Sequence, residues 1–228
     1  MTDDRRSTLL ARAALVLAAL AYSSWVVEIL TGSPLPVHRS FASELAALDR
    51  PAATTVRLMD AVSGALVLAA LALGRRLVRS RRQRWIALGL LAFGVGTVAD
   101  AAFPMSCAPS LEPGCEESAP GPLGLGMLPH ELASGTAGVG IIVFTAAILF
   151  SAWRSRRPAT RALVPLLALS LVVQLWLAMH SLAVTARPDV LEPAGWLQRA
   201  AIALTSVTLL ALALGFTTPR ADTGRPAA

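Results

Sequence analysis

Eight ionisable residues sit within or at the ends of long apolar runs: Glu28, Arg57, Asp60, Asp100, His130, Glu131, His180 and Arg199. A charge at the centre of a bilayer costs at least about 2.5–3.5 kcal/mol, so each of these must meet a partner, water or a ligand. Three kinds of chemistry fit the residue types. In the first, arginines close on carboxylates and tie helices together. Arg57 and Asp60 are i,i+3 neighbours able to neutralise each other, and Arg199 can pair with Glu28, Asp60 or Asp100. In the second, carboxylates and imidazoles line a polar pocket that takes a small ligand or a lipid headgroup. In the third, neutral imidazoles of His130 and His180 join Asp60 or Asp100 around zinc, and the metal activates water for lipid hydrolysis. No two of those four ligands are close in sequence, so spacing lends zinc no support and no cofactor is predicted.

The elements that must position these side chains are apolar helices. A helix needs about 20 mostly apolar residues to cross a bilayer. Six runs qualify, at about 11–30, 54–73, 85–103, 130–153, 162–186 and 195–217, all rich in Ala, Leu and Val. The first continues through Trp25, Val26, Val27, Ile29 and Leu30, which is too long for a cleaved signal peptide. The predicted fold is all-α: one transmembrane domain over residues 1–228, an integral six-helix bundle. At 1.5 Å rise per residue, all eight ionisable residues fall within about 10 Å of the same membrane boundary. The other halves of the runs are almost purely apolar.

Composition agrees. Hydrophobic residues make up 55% of the chain and charged residues only 15%, against about 45–50% and 25% in soluble domains. All 20 basic residues are arginine, and the formal net charge is +6. They stand in blocks between apolar runs, which argues for membrane topology and against nucleic acid as a partner. Arg5, Arg6, Arg12, the block from Arg75 to Arg84, Arg154, Arg156, Arg157, Arg161, Arg220 and Arg225 fall on one side; Arg39, Arg50, Arg57, Arg187 and Arg199 fall on the other. The positive-inside rule then places both termini in the cytoplasm and leaves 31–53, 104–129 and 187–194 as extracytoplasmic loops. The absence of lysine and the richness in Ala and Arg fit a high-GC bacterium, hence a multi-pass protein of the bacterial plasma membrane. No phosphate-binding loop, dinucleotide fingerprint or hydrolase motif is present.

Within the first loop, residues 41–48 read as a short helix lying on the outer surface. The loop 104–129 is rich in Pro and Gly and must be irregular. It holds Cys107 and Cys115, which an oxidising compartment joins as a disulfide; two free thiols are the alternative. Small residues mark helix contacts: Gly94 and Gly96 in the third run, and in the fourth a small-x-x-x-small pair of Ser134 and Gly138 joined by Gly135 and Gly140. The block from Arg75 to Arg84 enforces topology first and touches anionic headgroups second.

Several landmarks together resemble the bacterial membrane proteins grouped as domain of unknown function 998. They are Ser43-Glu44-Leu45, Asp60 with Gly64, Asp100 followed by Phe103-Pro104, His130, and Gly195-Trp196-Leu197-Gln198-Arg199. The resemblance spans nearly the whole chain and implies a mostly six-helix membrane protein with no known reaction. Members often carry an acid soon after the Phe-Pro pair; here Met105-Ser106-Cys107 follows instead. The function expected is a non-enzymatic binder of a lipid headgroup or small ligand in an outward-facing polar pocket. The alternatives are a membrane-embedded metal-dependent lipid hydrolase and a structural or partner-binding subunit. Besides the lipid bilayer, the expected partner is that ligand; the sequence leaves the oligomeric state open.

Overall fold

The computed structural model describes residues 2–31, 35–75, 78–112, 114, 125–186 and 192–215. Among them the structure is helical, with no strand: α1 (Thr2–Tyr22), α2 (Val26–Thr31), a 3-10 turn (Ala42–Ala46), α3 (Ala53–Gly74), α4 (Arg81–Ala102), α5 (Leu128–Trp153), α6 (Pro158–Arg161), α7 (Val164–Ala186) and α8 (Ala194–Ala213). Five helical stretches are long and apolar enough to cross a membrane: α3, α4, α5, α6–α7 read together over Pro158–Val184, and α8. They make this a multi-pass membrane protein.

The predicted first span departs from a single helix. Helix α1 starts nine residues earlier than expected and carries Arg5, Arg6 and Arg12, so it falls outside the five. It then breaks at Ser23-Ser24-Trp25 before α2. The break has a local cause. The Ser23 hydroxyl donates back to the Ala19 carbonyl at 3.2 Å, and Ser24 Oγ donates to Asp60 at 3.0 Å instead of supporting the next turn.

Six of the helices close into a ring, with α1 on α3, α3 on α4, α4 on α5, α5 on α7, α7 on α8 and α8 back on α1. Close backbone approach through glycine builds the tightest seams. A methyl group on Gly64 would stand 2.7 Å from the Gly94 carbonyl oxygen, one on Gly89 2.5 Å from the Phe144 amide nitrogen, and one on Gly96 2.8 Å from the Ala133 carbonyl oxygen. Gly140 meets α4 from the other side, where a methyl group would stand 2.6 Å from the Gly89 carbonyl oxygen. Of the small residues expected at helix contacts, Gly94, Gly96 and Gly140 lie in the seam, whereas Gly135 and Gly138 face open space and Ser134 turns to Asp100. Spacing alone cannot tell which of two small-residue stripes on α5 meets a neighbour.

Polar cross-links complete the ring. Ser63 donates to the Ala18 carbonyl at 3.0 Å, and Gln174 Nε2 donates to the Ala201 carbonyl at 3.0 Å and to Thr205 at 2.9 Å. Such bonds average only about 0.6 kcal/mol each in membranes, so the glycine seams carry more of the packing. At the arginine-rich end the ring is filled by Ala14, Leu15, Ala18, Val67, Ile148 and Leu209, all buried. Above them Tyr22, Phe93 and Phe144 pack edge to face, with centroids 4.9 and 6.0 Å apart.

The segment 41–48 is no surface helix. Its 3-10 turn buries Ala42, Glu44, Leu45 and Ala46 at the opposite end of the ring. Leu35, Leu45, Ala46, Ala52, Val56 and Ala108 make a second apolar core there, with Trp25, Val27 and Leu111 against it. An amphipathic segment needs an apolar surface to cover, and here the protein supplies it in place of lipid.

The glycine seam makes a contrast that mutagenesis can read. Gly140→Ala forces atoms into α4 and is expected to cost about 1–3 kcal/mol. Gly138→Ala meets nothing within 4 Å and is expected to leave stability unchanged or raise it by up to about 1 kcal/mol. Thermal unfolding of the detergent-solubilised protein checks both, and equal shifts would contradict this packing.

Candidate functional site

Arg199 lies one turn into α8 and is only 4% exposed. Its Nε and Nη2 donate to the same carboxylate oxygen of Glu28, at 2.9 and 2.6 Å. Its Nη1 donates to the carbonyls of Val37 at 3.3 Å, Ser40 at 2.9 Å and Gly195 at 3.1 Å. One guanidinium therefore joins α2, the segment after it and α8. Gly195 makes this possible, because a methyl group there would stand 2.6 Å from the Ser40 carbonyl oxygen. Its own N–H donates to the His38 carbonyl at 3.2 Å. Gln198 adds a third tie, accepting the Ser43 N–H at 3.2 Å.

Glu44 does similar work from the 3-10 turn. It accepts the Phe41 N–H at 2.9 Å, the Ser110 N–H at 3.1 Å and the Ser110 hydroxyl. Leu48 N–H donates to the Met105 carbonyl at 3.0 Å, so the first loop and the start of the second are sewn together. Burial pushes the Glu44 carboxyl above its ordinary 4.5, against the lowering effect of the Ser110 and Phe41 bonds and of Arg199.

Under this roof lies a cavity of about 120 Å³. Every helix of the ring lines it: Tyr22 from α1, Asp60 from α3, Thr97 and Asp100 from α4, Ser134 and Gly138 from α5, Gln174 from α7 and Gln198 from α8. Ser24 of the helix break and Ala42 and Ser43 of the 3-10 turn complete the polar part. No arginine or histidine lines it, and its two ionisable carboxylates are Asp60 and Asp100. Asp60 accepts from Ser24, and Asp100 accepts from Ser134. His130 Nδ1 stands 3.1 Å from Asp100, close enough for an ion pair but not aligned as a hydrogen bond. Its Nε2 lies 3.5 Å from Ser134 Oγ.

The predicted cluster thus divides. Glu28 and Arg199 form a buried clamp in the roof, and Asp60 and Asp100 face the cavity with His130 beside Asp100. Arg57 does not pair with Asp60; its Nε donates to the Ala101 carbonyl at 2.9 Å and caps the end of α4. Glu131 is exposed, and His180 is part-buried on α7 and outside the cavity lining. Among the described residues no three His, Cys, Asp or Glu side chains gather as a metal site requires. Cys107 is buried, but Cys115 and with it the expected bridge lie outside the described residues.

The residues that sequence reasoning passed over as site members are Ser24, Ser43, Thr97, Ser134, Gln174 and Gln198. All are neutral, and neutral polar residues in an apolar helix carry no charge signal. The motif pieces Ser43-Glu44-Leu45 and Gly195-Trp196-Leu197-Gln198-Arg199 did hold one, since the structure bonds them to each other.

A family model described as Protein of unknown function (DUF998) matches residues 15–215. No curated protein and no solved structure matches the chain.

Arg199→Met would leave Glu28 buried without its cation and the Val37 and Ser40 carbonyls without its donor. It is expected to cost about 3–5 kcal/mol and to open residues 35–50 to protease, with Arg199→Lys recovering part of the loss; protection unchanged in both would refute the clamp. Glu44 gives a pH signature. Its folded pKa is raised, so its stability contribution is complete below the unfolded value and fades as pH rises through the folded one. The melting temperature of wild type relative to Glu44→Gln should therefore fall as pH rises from about 4; a constant difference would contradict it.

Proposed function

This chain belongs to the DUF998 family, and we propose that it is a non-enzymatic membrane protein whose cavity binds a small cationic ligand, either a free amine or the amine-bearing headgroup of a lipid. In this reading six helices, α1 included, cross a bacterial plasma membrane with both termini in the cytoplasm, and the cavity faces outward.

The observation that carries the reading is the lining itself. Two carboxylates share about 120 Å³ with a set of neutral hydroxyls and amides, and no lining side chain is a fixed cation. The two arginines nearest in sequence are already engaged, Arg57 by Ala101 and Arg199 by Glu28. The two carboxylates are half-buried, and only Asp100 has a basic neighbour, His130 at 3.1 Å, so Asp60 above all attracts a compensating cation. Size narrows the class. Drug-sized ligands need about 300–1,000 Å³, whereas this space of about 120 Å³ suits one ammonium group with a short stem. The aromatic and aliphatic filling below the cavity supports a blind pocket entered from one end.

Ethanolamine and choline are the first probes. Each is expected to raise the melting temperature of the purified protein, with glycerol 3-phosphate giving no shift. The double variant Asp60→Asn/Asp100→Asn removes both charged contacts, each worth about 1.5–3 kcal/mol, and should weaken binding at least tenfold. Vesicles containing phosphatidylethanolamine in place of the free amine distinguish a lipid source from a soluble one. Stabilisation that survives in the double variant, or that the anion matches, would overturn the reading.

A further inference from the structure

The arginine-rich end of the ring holds an arrangement that the cavity does not use. Arg82, at the start of α4, and Arg154, just after α5, both lie over the ring of Phe150, with guanidinium carbons 5.4 and 5.1 Å from its centroid. The two arginines come from separate segments, yet one aromatic face-and-edge system holds both. Cation–π contact fixes a guanidinium in place without consuming its N–H donors.

Among the described residues those donors meet no protein acceptor. Both side chains are exposed, and neither has an ion-pair partner among the described residues. Arg81, Arg84, Arg156 and Arg157 stand in the same two segments, all exposed. Every acid whose side chain is described belongs to the opposite end of the ring. Two like charges gathered on one ring with no counter-charge repel each other, and a bound external anion relieves that repulsion. The depth of the site narrows the source of that anion. Trp85 and Trp153 flank the pair at 49% and 67% exposure, and tryptophans so placed at helix ends mark the headgroup level of a bilayer.

We propose that Arg82 and Arg154, pre-positioned on Phe150, form a binding site for the phosphate of an acidic phospholipid at the arginine-rich membrane surface. The guanidinium fork matches a phosphodiester with paired N–H donors. The apolar flank that Trp85, Trp153 and Phe150 provide accommodates the start of the acyl chains. This site is independent of the cavity and of its ligand.

Native mass spectrometry of the full chain released from mixed phosphatidylcholine and phosphatidylglycerol nanodiscs tests it by counting retained lipid. Wild type should keep phosphatidylglycerol over phosphatidylcholine. Arg82→Gln/Arg154→Gln should lose that retention about tenfold or more, and Phe150→Leu should lose part of it with every charge still present. Arg156→Gln/Arg157→Gln removes the same charge from the same end and should change retention less than about twofold. Equal losses in the two double variants would overturn the site in favour of diffuse attraction. Displacement of the lipid by millimolar inorganic phosphate would overturn the choice of a phospholipid.

Discussion

The acidic end of the molecule depends on one desolvated guanidinium. Arg199 is buried with its full charge, and nothing about burial makes that favourable by itself. It is tolerated because Glu28 neutralises it through Nε and Nη2 and three carbonyls accept from its Nη1. Those acceptors lie in α2, in the segment that follows and in α8. Satisfying the arginine therefore fixes where the first loop must run. Once Val37 and Ser40 are docked, Ser43 reaches Gln198, and Glu44 reaches Ser110. The roof of the cavity is the geometric consequence.

The two halves of the ring solve different problems. Toward the arginine-rich end, helices meet mainly through glycine, alanine and large apolar side chains, with only short hydroxyls such as Thr145, Ser170 and Thr208 buried among them. Toward the acidic end, the helices part around polar side chains, and each seeks a partner across a gap. The break between α1 and α2 belongs to this second half. By ending α1 at Tyr22, the chain turns Ser24 onto Asp60 and swings Glu28 to Arg199. A straight helix could not present both side chains to these partners, because residues four apart lie on the same face.

Charge separation along the ring follows from the same logic. The acids with described side chains gather where loops are folded back and can bond them, whereas the arginines at the far end stay exposed. Exposure suits arginine there, since a long stem lets the charge reach headgroups while the methylenes lie along the helix. Phe150 then decides which of several similar arginines are held in place.

Helical class, the approximate helix positions and the crowding of charges at one end were legible in the residues alone. Hydrophobicity and charge act locally, and a lipid environment punishes exceptions strongly enough to leave a pattern. The pairing of those charges was not legible. Glu28, Asp60 and Asp100 were equal partners for Arg199 until α8 was packed against α1, and Arg57 took a carbonyl instead of the acid three residues on. The same limit applied to segment 41–48, whose amphipathic pattern fits lipid or protein equally well, and to the two small-residue stripes of α5. Only the tertiary arrangement decides such choices, because the sequence states which surfaces must be covered and which charges answered, but the identity of each partner depends on helix rotation and distance, which no local pattern encodes.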